Sequence, residues 1–543
     1  MRYTNPHEKR RGVPYRRLSS CLVVVAAAAL ALPAIEAPAK DLLAEAIWEY
    51  SIDGGKSFAQ TPPTLEPGAE IPIMCRGTFI LEAGDMFDAS NPYVVAELTP
   101  AFAKASLNGK PIRGPLRKMR YRTIPAIDGK LLKVGKNTMQ FETVAVNKST
   151  KHQTTFEAQA TLKGLRPEDL QFQTGPILGP AGNGLFAVSC RTNMPARVDL
   201  TVETTGGKSL TAKSPVGLFH RFRLTGLDGE WERYQLQAHC GQSVKKLGVA
   251  RSAPADADTD THKNLCFVAL GDGRSNPAAW SKVAAAVKQA NPDLVVYGGD
   301  MVVDGRCDWL WDDEFFAPAK HLLATVPFYA VIGNHENNCP LFEELFISPA
   351  PDGRGRNWSQ LRGDVLLIGI DGAMDWSTDG ANVRWLEQVL AGSKAEYIFL
   401  LTHYPALSSA KHGRLDRNGQ PREKAVRQAQ QVILPLLAKY RATAIIAGHD
   451  HCYERSEPPC GVTAITTGGA GAPLYGKVES AAAQNPHSKA LASKHHYCLF
   501  TAGDGKCTMQ VLTPDGVKID SRTWGHRSQR ARAADSATAP CAD

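Results

Sequence analysis

The sequence predicts an α/β protein in which two β-sandwich domains precede a layered α/β domain. Residues 40–165 alternate apolar and polar side chains between turn signals such as Asn108-Gly109, as strands with one buried face do. From residue 264 to residue 525, short apolar runs alternate with helical patterns, which is typical of layered α/β packing. A chain of 543 residues is also too long for a single core.

The first 39 residues have the pattern of a secretion signal. A basic stretch through Arg17 precedes the apolar run Cys21–Leu32, and the small-residue sequence Ala37-Pro38-Ala39 follows. The apolar run is too short to span a bilayer stably, and no other segment is apolar enough. The pattern predicts export to the periplasm or the extracellular space without a membrane span in the mature form; an uncleaved membrane anchor is the alternative.

The composition changes along the chain predict the domain boundaries. We expect a signal peptide, a first β-sandwich, a second β-sandwich, a polar linker, an α/β domain and a disordered tail, at residues 1–39, 40–165, 166–252, 253–263, 264–525 and 526–543. The formal net charge is +8, and residues 1–39 contain six Arg or Lys and two Glu, which leaves +4 for the remainder. This weak positive charge does not indicate a nucleic-acid partner.

Five short apolar runs in the α/β domain read as buried strands of a sheet, because they are bounded by Gly and polar residues. They are Cys266–Leu270, Leu294–Tyr297, Pro327–Ile332, Tyr397–Leu401 and Thr443–Ala447. Helical patterns alternate with them at Pro277–Ala290, Asp312–Ala324, Ala381–Ala391 and Arg422–Tyr440. Such an order predicts a sheet with helices packed against it.

Polar residues follow each of the five predicted strands. The segments are Gly271-Asp272, Gly299-Asp300, Gly333-Asn334-His335-Glu336, Thr402-His403 and Gly448-His449-Asp450-His451. Because ligands bind at the carboxyl ends of strands in such sheets, we expect these side chains to point at one place. A single histidine beside a strand is more often a core residue than a ligand, so the prediction depends on the whole set.

That set of side chains indicates metal chemistry. Two carboxylates, one amide oxygen and three imidazoles suit Zn, Fe, Mn, Co or Ni. There are too many ligands for one tetrahedral ion and enough for two ions about 3.5–4 Å apart that share a carboxylate. Such a pair activates water and stabilises the attacking and leaving oxygens of an in-line displacement at phosphorus.

In order and spacing, the five segments resemble the calcineurin-like metallophosphoesterase superfamily, and within it the purple-acid-phosphatase-like proteins, over roughly residues 262–525. The resemblance implies an αββα sandwich for the catalytic domain. It implies that Asp300 bridges two ions and that His335 faces the leaving group as general acid or transition-state stabiliser. The remaining ligands it implies are Asp272 and His451 for the first ion, and Asn334, His403 and His449 for the second.

Two positions depart from the family pattern. Arg274 stands where members often have His, and Val303 stands where purple acid phosphatases have Tyr. The first ion therefore has three evident ligands, and water, Asn276 or Asp304 could complete its shell. We expect a weaker first ion position and no purple Fe(III)–tyrosinate absorption band.

Three further side chains have open roles. Arg274 either binds a substrate phosphate as a bidentate fork or forms a salt bridge that orients Asp272 or Asp300. His412 lies in a loop that resembles the family's loop after the metal-binding His403, where another histidine reaches the phosphate; the alternative is a solvated loop residue. Glu336 either orients His335 through a hydrogen bond or has a structural role.

The two preceding domains carry weaker resemblances. Residues 131–138 faintly resemble jelly-roll, galactose-binding-like domains. Gly175-Pro176, Phe186–Thr192 and residues 219–227 resemble the fibronectin-III-like domain that precedes the catalytic domain in purple-acid-phosphatase-like proteins. This second domain would serve as a spacer or shape the substrate entrance.

The chain has twelve cysteines, and export would permit disulfides among them. The possible pairs are Cys307 with Cys339, Cys190 with Cys240, Cys452 with Cys460, and Cys498 with Cys507. Pairing cannot be derived from the sequence, so these remain possibilities.

Together these observations predict a secreted metal-dependent phosphatase. It would hydrolyse small-molecule phosphate monoesters by water activated at two Fe, Mn or Zn ions. The alternatives are a phosphodiesterase or nucleotidase, and a surface binding protein whose hydrolase domain is degenerate.

Overall fold

The computed structural model describes residues 40–87, 92–102, 104–182, 184–227, 230–251, 265–351 and 353–527. The predicted signal peptide, the predicted linker and most of the predicted tail lie outside these residues. Within them, no helix has the length and apolar content that crossing a membrane requires. The chain is still packed at Arg527, whose guanidinium donates to the carbonyls of Ser393 and Tyr440 at 3.2 and 2.7 Å.

The first β-rich region consists of two antiparallel sheets. The larger has five strands in the order Ile47–Ser51, Glu70–Leu81, Gly135–Val146, Lys104–Leu107 and Lys110–Ile112. The smaller has three, Gln159–Leu165, Tyr93–Phe102 and Tyr121–Asp128, and a separate pair joins Thr64–Leu65 to Thr154–Thr155. Every second residue of Glu70–Leu81 is buried from Ile73 onward, so the alternation in the sequence corresponds to one face against a core that includes Leu98 and Phe141.

The second β-rich region is organised around one long strand, Leu185–Thr204. Its first half pairs with Phe172–Gly182 and Gly217–Thr225. Its second half pairs with Ser209–Lys213 and Trp231–Cys240, and Ser243–Ala250 extends that side. The core between these strands contains Phe186, Trp231 and Tyr234, whose rings lie 5.3–5.7 Å apart.

Two mixed sheets form the centre of the α/β region. The first has the strand order Phe328–Ala330, Leu294–Tyr297, Leu265–Leu270, Tyr497–Gly503, Lys506–Leu512 and Lys518–Gly525. The second has the order Trp358–Arg362, Val365–Gly369, Tyr397–Leu401, Ala444–Ala447, Thr463–Thr467, Tyr453–Ser456 and Ser488–Ala492. The sheets pack face to face through Phe267, Phe399 and Phe500, whose ring centroids lie 4.5–5.4 Å apart.

Helices cover the outer face of each sheet, which completes the four-layer αββα arrangement that the family resemblance implies. The first sheet packs against Pro277–Gln289, the continuous helical segments Asp308–Leu310, Trp311–Phe316 and Ala317–Thr325, and Pro340–Leu345. The second sheet packs against Ala381–Ala391 and the continuous segments Lys424–Gln428, Ala429–Ile433 and Leu434–Lys439. A short helix at Ala481–Gln484 follows the last histidine segment.

The helix boundaries follow from local sequence in some places and from packing in others. The helix at Pro277–Gln289 begins at Pro277 because the Asn276 side chain accepts a hydrogen bond from the Ala279 amide, and proline suits the first helical position. The predicted helix at Asp312–Ala324 begins four residues earlier, at Asp308, and includes a π-helical turn at Trp311–Phe316. The sequence pattern does not reveal that turn.

The ten cysteines in the described part of the chain are all free thiols, so none of the four possible disulfides is present. For one pair the strand register gives the reason. In the hairpin that contains both residues, Cys498 lies opposite Val511 and Cys507 lies opposite Ala502, so they are not cross-strand neighbours. Burial also raises the pKa of the Cys339 thiol to about 12.

The second β-rich region packs directly against the α/β region. Arg191 forms a buried ion pair with Asp308, with Nη1 to Oδ1 at 2.7 Å, and the Thr174 hydroxyl donates to Asp312 at 2.7 Å. The first β-rich region reaches the same place, because Arg120 forms a parallel bridge with Cys307. Both β-rich regions therefore contact the segment that follows the Asp300 loop.

Candidate metal centre

The six predicted ligands converge at the carboxyl ends of strands from both sheets. The ligand atoms of Asp272, Asp300 and His451 lie within 4.8 Å of one another, and so do those of Asp300, His403 and His449. Asp300 belongs to both groups, which is the position of a ligand shared between two ions. We refer to the first group as the first ion position, and to the second group together with Asn334 as the second ion position.

The strand topology explains this convergence. Leu265–Leu270 and Leu294–Tyr297 are parallel neighbours in the first sheet, and they deliver Asp272 and Asp300. In the second sheet, Tyr397–Leu401 and Ala444–Ala447 are parallel neighbours and deliver the histidines. Asp272, Asp300 and His449 have φ angles of 62°, 56° and 71°, a left-handed conformation that non-glycine residues adopt mainly where the surroundings impose it.

Two glycines in the motifs are required by close approach rather than by chain flexibility. A Cβ atom at Gly448 would collide with Oδ2 of Asp272, and a Cβ atom at Gly333 would collide with Oδ1 of Asp300. Each glycine belongs to one motif and makes room for the carboxylate of another. These two glycines therefore have a direct steric role in the site.

Each of the three histidines has one ring nitrogen bonded to an outer acceptor. His403 Nδ1 lies 2.8 Å from the Gly298 carbonyl, His451 Nδ1 lies 2.7 Å from the Pro473 carbonyl, and His449 Nε2 lies 2.8 Å from the Glu423 carboxylate. Such contacts fix the tautomer and direct the other nitrogen toward an ion.

The inward nitrogens lie among the other donors of the second ion position. His403 Nε2 lies 3.0 Å from Asn334 Oδ1, 3.1 Å from His449 Nδ1 and 3.3 Å from Asp300 Oδ1. Burial lowers the pKa of His449 to about 4 and that of His451 to about 3, so both rings are neutral at pH 7, as metal binding requires. Donor type, orientation and protonation all fit a transition-metal ion at the second position.

The first ion position has a different composition. Asp272 Oδ1 and His451 Nε2 lie 3.6 Å apart, and the guanidinium of Arg274 lies beside them. Arg274 Nε is 3.4 Å from Asp300 Oδ2, and its Nη2 is 3.3 Å from His451 Nε2. The two residues that could have completed this shell have other roles: Asn276 caps a helix, and Asp304 forms a 2.7 Å ion pair with Arg306.

The two carboxylates have opposite electrostatic surroundings. Burial, and then the charge of Asp300, raise the pKa of Asp272 well above its ordinary value. Burial would also raise the pKa of Asp300, but His403, His335 and the His335 backbone amide outweigh it and lower that pKa. Two buried carboxylates whose ligand atoms lie within 4.8 Å of each other are stabilised by a cation placed between them.

His335 lies at the edge of the centre. Its Nδ1 lies 2.6 Å from the Val303 carbonyl, its Nε2 lies 3.8 Å from Asp300 Oδ2, and its backbone amide donates to Asp300 Oδ1 at 3.0 Å. Because a carbonyl only accepts, Nδ1 carries the proton of this hydrogen bond and Nε2 faces the site. Val303 thus contributes a carbonyl here, while its aliphatic side chain offers no ligand atom.

Glu336 has the structural role and does not orient His335 through its carboxylate. The carboxylate accepts hydrogen bonds from the backbone amides of Gly333, Asp300 and Met301 at 2.6, 3.0 and 2.7 Å, and the residue is fully buried. It therefore joins the loop that contains Asp300 to the loop that contains Asn334. This contact holds two ligand-bearing loops in register.

His412 is in contact with the centre, but through a residue that the sequence did not indicate. Its Nδ1 lies 2.5 Å from Glu423 Oε1, while Glu423 Oε2 binds the outer nitrogen of His449. The rings of His412 and His449 lie 3.8 Å apart. Glu423 precedes a helix rather than following a strand, so no strand-end signal marked it.

The glycine-rich turn after the last histidine motif, residues 466–475, packs against the first ion position from outside. The amides of Ala470 and Ala472 donate to the carbonyls of Gly271 and Asp272 at 3.0 and 2.8 Å. The Tyr475 ring stacks on His451 with centroids 4.1 Å apart. Tyr475 ends this glycine-rich stretch, which resembles the corresponding turn of the family, but no sequence signal indicated that its ring contacts His451.

We expect Glu423→Gln to weaken ion binding at the second position by about 10–100-fold, because the carboxylate that orients His449 and raises its basicity is lost. The dissociation constant for Mn²⁺, measured by titration calorimetry, tests this. Glu387→Gln is the matched control, since Glu387 forms an exposed pair with Lys439 and should leave the constant unchanged. Equal affinities in Glu423→Gln and the unmodified protein would contradict the orienting role.

The chain is similar in sequence to known phosphoesterases. The calcineurin-like phosphoesterase family model matches residues 259–453. Human tartrate-resistant acid phosphatase type 5 is 34% identical over 248 residues, which cover 38% of this chain and 72% of that protein. An uncharacterized protein of Mycobacterium tuberculosis is 26% identical over 317 residues, or 49% of this chain, and the match spans only 56% of that relative's length.

A solved structure shows the same fold across most of the chain. The purple acid phosphatase PPD1 from yellow lupin (Lupinus luteus) seeds superposes with a TM-score of 0.59 at 14% identity, over 88% of this chain and 96% of that one. The family model covers the segment that contains all five motifs. The chain therefore belongs to the calcineurin-like phosphoesterase family, is similar in sequence to the tartrate-resistant acid phosphatases and shares its fold with a purple acid phosphatase.

Proposed function

We propose that the protein is a metal-dependent phosphatase that hydrolyses phosphate monoesters of small molecules. The observation that carries this proposal is the pair of ligand groups that share Asp300, with His335 Nε2 facing the shared carboxylate. Metallophosphoesterases act on phosphate esters at a binuclear centre, and the acid phosphatases among the relatives support the monoester as the substrate.

The candidate ligands would form two ion positions that share Asp300. Asp272, Asp300 and His451 would hold an ion at the first position, and Asp300, Asn334, His403 and His449 would hold one at the second. When bound, Fe, Mn or Zn ions supply the Lewis acidity and the activated water for in-line attack at phosphorus. The side chains of the chain itself then bind the substrate, orient it and move protons.

His335 is the proposed general acid. Its Nδ1 is held by the Val303 carbonyl, so proton exchange with a leaving alkoxide takes place at Nε2. The side chain is 28% exposed, which places it where a leaving group can depart to solvent. Its backbone amide also donates to Asp300, so the ring and the shared ligand are positioned by the same loop.

His412 is the proposed second contact to the phosphate. Its Nδ1 is held by Glu423, which leaves Nε2 for a substrate oxygen. The ring packs against that of His449 at a tilt of 41°, which keeps it at the rim of the second position. A phosphate that reaches the ions would therefore meet His335 from one loop and His412 from another.

The test uses the protein purified from an exporting host, stripped of metal and loaded in turn with Mn, Zn and Fe. An aryl phosphate monoester and the matching diester are compared. We expect kcat/KM for the monoester to exceed that for the diester by about tenfold or more, a transition-state difference of about 1.4 kcal/mol, and a chelator to abolish both activities. The opposite preference would identify a phosphodiesterase or nucleotidase.

A second candidate function is a binding protein with an inactive hydrolase domain, and the position of Arg274 in the first ion position favours it. Folded protein that hydrolyses neither ester with any of the three metals would support this candidate. Export to the periplasm or the extracellular space is proposed from the pattern of residues 1–39 alone. Detection of the intact chain only in the cytoplasm would overturn that part.

A further inference from the structure

We propose that the guanidinium of Arg274 occupies the first ion position as an internal cation, and that an ion enters this position only when Arg274 moves out. The second position would then hold one tightly bound ion per chain, and the first position would fill only at high metal concentration. This inference deepens the proposed function and rests on the two ion positions described above.

The contacts of Arg274 are those that an ion would make. Its Nη2 lies 3.3 Å from His451 Nε2, the nitrogen that the Pro473 carbonyl leaves free for metal binding. Its Nε lies 3.4 Å from Asp300 Oδ2, the oxygen of the shared carboxylate that faces the first position. One guanidinium and one metal ion cannot both use these two donor atoms.

The guanidinium lies inside the centre and not at its rim. The side chain of Arg274 is 12% exposed, and that of Asp300 is 1% exposed. Arginine stays protonated and has no free lone pair, so it brings a positive charge and cannot act as a ligand. The single positive charge of the guanidinium stabilises the buried carboxylates of Asp272 and Asp300, whereas a divalent ion would bring two positive charges.

The second position has no such internal cation. In the described part of the chain, no Lys or Arg nitrogen is hydrogen-bonded to the four donor atoms, which are Asp300 Oδ1, Asn334 Oδ1, His403 Nε2 and His449 Nδ1. Its donors are neutral imidazoles, an amide oxygen and one carboxylate oxygen. An ion at the second position therefore displaces no side chain.

The loop that carries Arg274 is anchored, which keeps the guanidinium in place. The Ser275 amide donates to Glu314 Oε2 at 3.2 Å, and the Val303 amide donates to the same oxygen at 2.9 Å. Arg274 Nη1 also lies 3.2 Å from the Ser275 hydroxyl. Glu314 thus joins the Arg274 loop to the segment after Asp300, and only the side chain needs to move for an ion to enter.

The two roles that the sequence left open for Arg274, a salt bridge to a carboxylate and the binding of a phosphate, are both compatible with this position of the guanidinium. While the guanidinium occupies the first position, it forms the salt bridge to Asp300. A phosphate bound at the second position would meet the N–H groups of Arg274 at the place where a second ion would otherwise lie. Replacing Arg274 is therefore expected to increase the number of bound ions. If Arg274 served only to orient the carboxylate ligands, its replacement would instead lower that number.

The experiment counts ions. Metal-stripped protein is equilibrated with Mn²⁺, freed of unbound metal by gel filtration and analysed for Mn per chain, for the unmodified chain and for Arg274→His, which supplies an imidazole. We expect about one ion per chain in the unmodified protein and about two in Arg274→His. Electron paramagnetic resonance should show an isolated ion in the former and a spin-coupled pair in the latter.

Arg306→His is the matched control, because Arg306 also follows a motif aspartate but pairs with Asp304 and touches no ion donor. It should leave the count at about one. If circular dichroism shows that Arg274→His does not fold, Arg274→Gln is used to test the inference. Arg274→Gln should bind the second Mn²⁺ with a dissociation constant at least about tenfold lower than that of the unmodified chain. An unmodified protein with two tight ions, or folded Arg274 variants that gain none, would overturn the inference.

The ion count tests the inference about Arg274 and the phosphatase assay tests the proposed function, so either one can be contradicted without the other. If the predicted counts appear but no variant hydrolyses either ester, the inference stands and the proposed function is wrong. If the unmodified chain holds two tight ions and hydrolyses the monoester, the function stands and the inference is wrong.

Discussion

Replacing Asp300 with Asn is expected to abolish ester hydrolysis, with kcat/KM lower by at least about 10²–10³-fold. Asp300 is the only residue that belongs to both groups of ion donors among the described residues. One of its oxygens faces His403 and the His335 amide, and the other faces Arg274 and the His335 ring. Asparagine keeps the size of the side chain but removes the charge and turns one oxygen into a donor.

The same substitution should lower the amount of bound Mn²⁺, measured on the protein used for kinetics. Asp304→Asn is the matched control, since Asp304 lies four residues further along the chain and pairs with Arg306 at the surface. We expect the control to keep its metal and most of its activity, because exposed ion pairs contribute little. An Asp300→Asn protein with full metal content and undiminished activity would show that Asp300 does not bridge the centre.

Replacing Arg191 with Met is expected to lower the free energy of unfolding by about 3–5 kcal/mol, the largest stability effect that we predict. Arg191 and Asp308 form a bidentate pair, with distances of 2.7 and 3.3 Å and with side chains 1% and 7% exposed. The variant would leave the Asp308 carboxylate buried without its cation. Because Asp308 begins a helix beside the Asp300 loop, we expect the substitution to destabilise the α/β region as well as the second β-rich region.

Denaturant unfolding followed by tryptophan fluorescence measures this effect. Arg197→Met is the matched control on the same strand, because Arg197 pairs with Asp199 at the surface and its loss should cost less than about 1 kcal/mol. The double variant Arg191→Met with Asp308→Leu should recover much of the loss, since it removes both charges together. Equal stabilities for Arg191→Met and Arg197→Met would mean that the buried pair contributes nothing beyond an exposed one.

The buried strands were predictable because their sequence signal is local. Leu294–Tyr297 and Tyr397–Leu401 have the predicted bounds, and the helix at Ala381–Ala391 does too. A strand buried on both faces is apolar at every position, so its length can be read from the sequence. The π-helical turn at Trp311–Phe316 was not predictable, because its hydrogen-bond register depends on how the helix packs and not on the residue pattern.

The position of each candidate ligand at a strand end was predictable from the sequence. A polar residue that follows a parallel buried strand lies at the carboxyl edge of its own sheet, and this holds for Asp272 and Asp300 in the first sheet and for His403 in the second. Because these strands belong to two different sheets, the packing of the sheets was also needed to bring the residues together. The alternation of strand and helix patterns predicted layered α/β packing, and the resemblance to the metallophosphoesterases implied the αββα arrangement.

Only the tertiary structure decided how the remaining charged groups are used. Glu423 binds His449 across 26 residues, Glu336 joins two loops 36 residues apart, and Arg274 reaches His451 across 177 residues. No pattern of spacing encodes such contacts, because they arise where the two sheets pack face to face and bring their loops together. The sequence therefore determined which polar side chains follow the buried strands, and the packing of the two sheets determined that the Arg274 guanidinium lies beside Asp300 and His451.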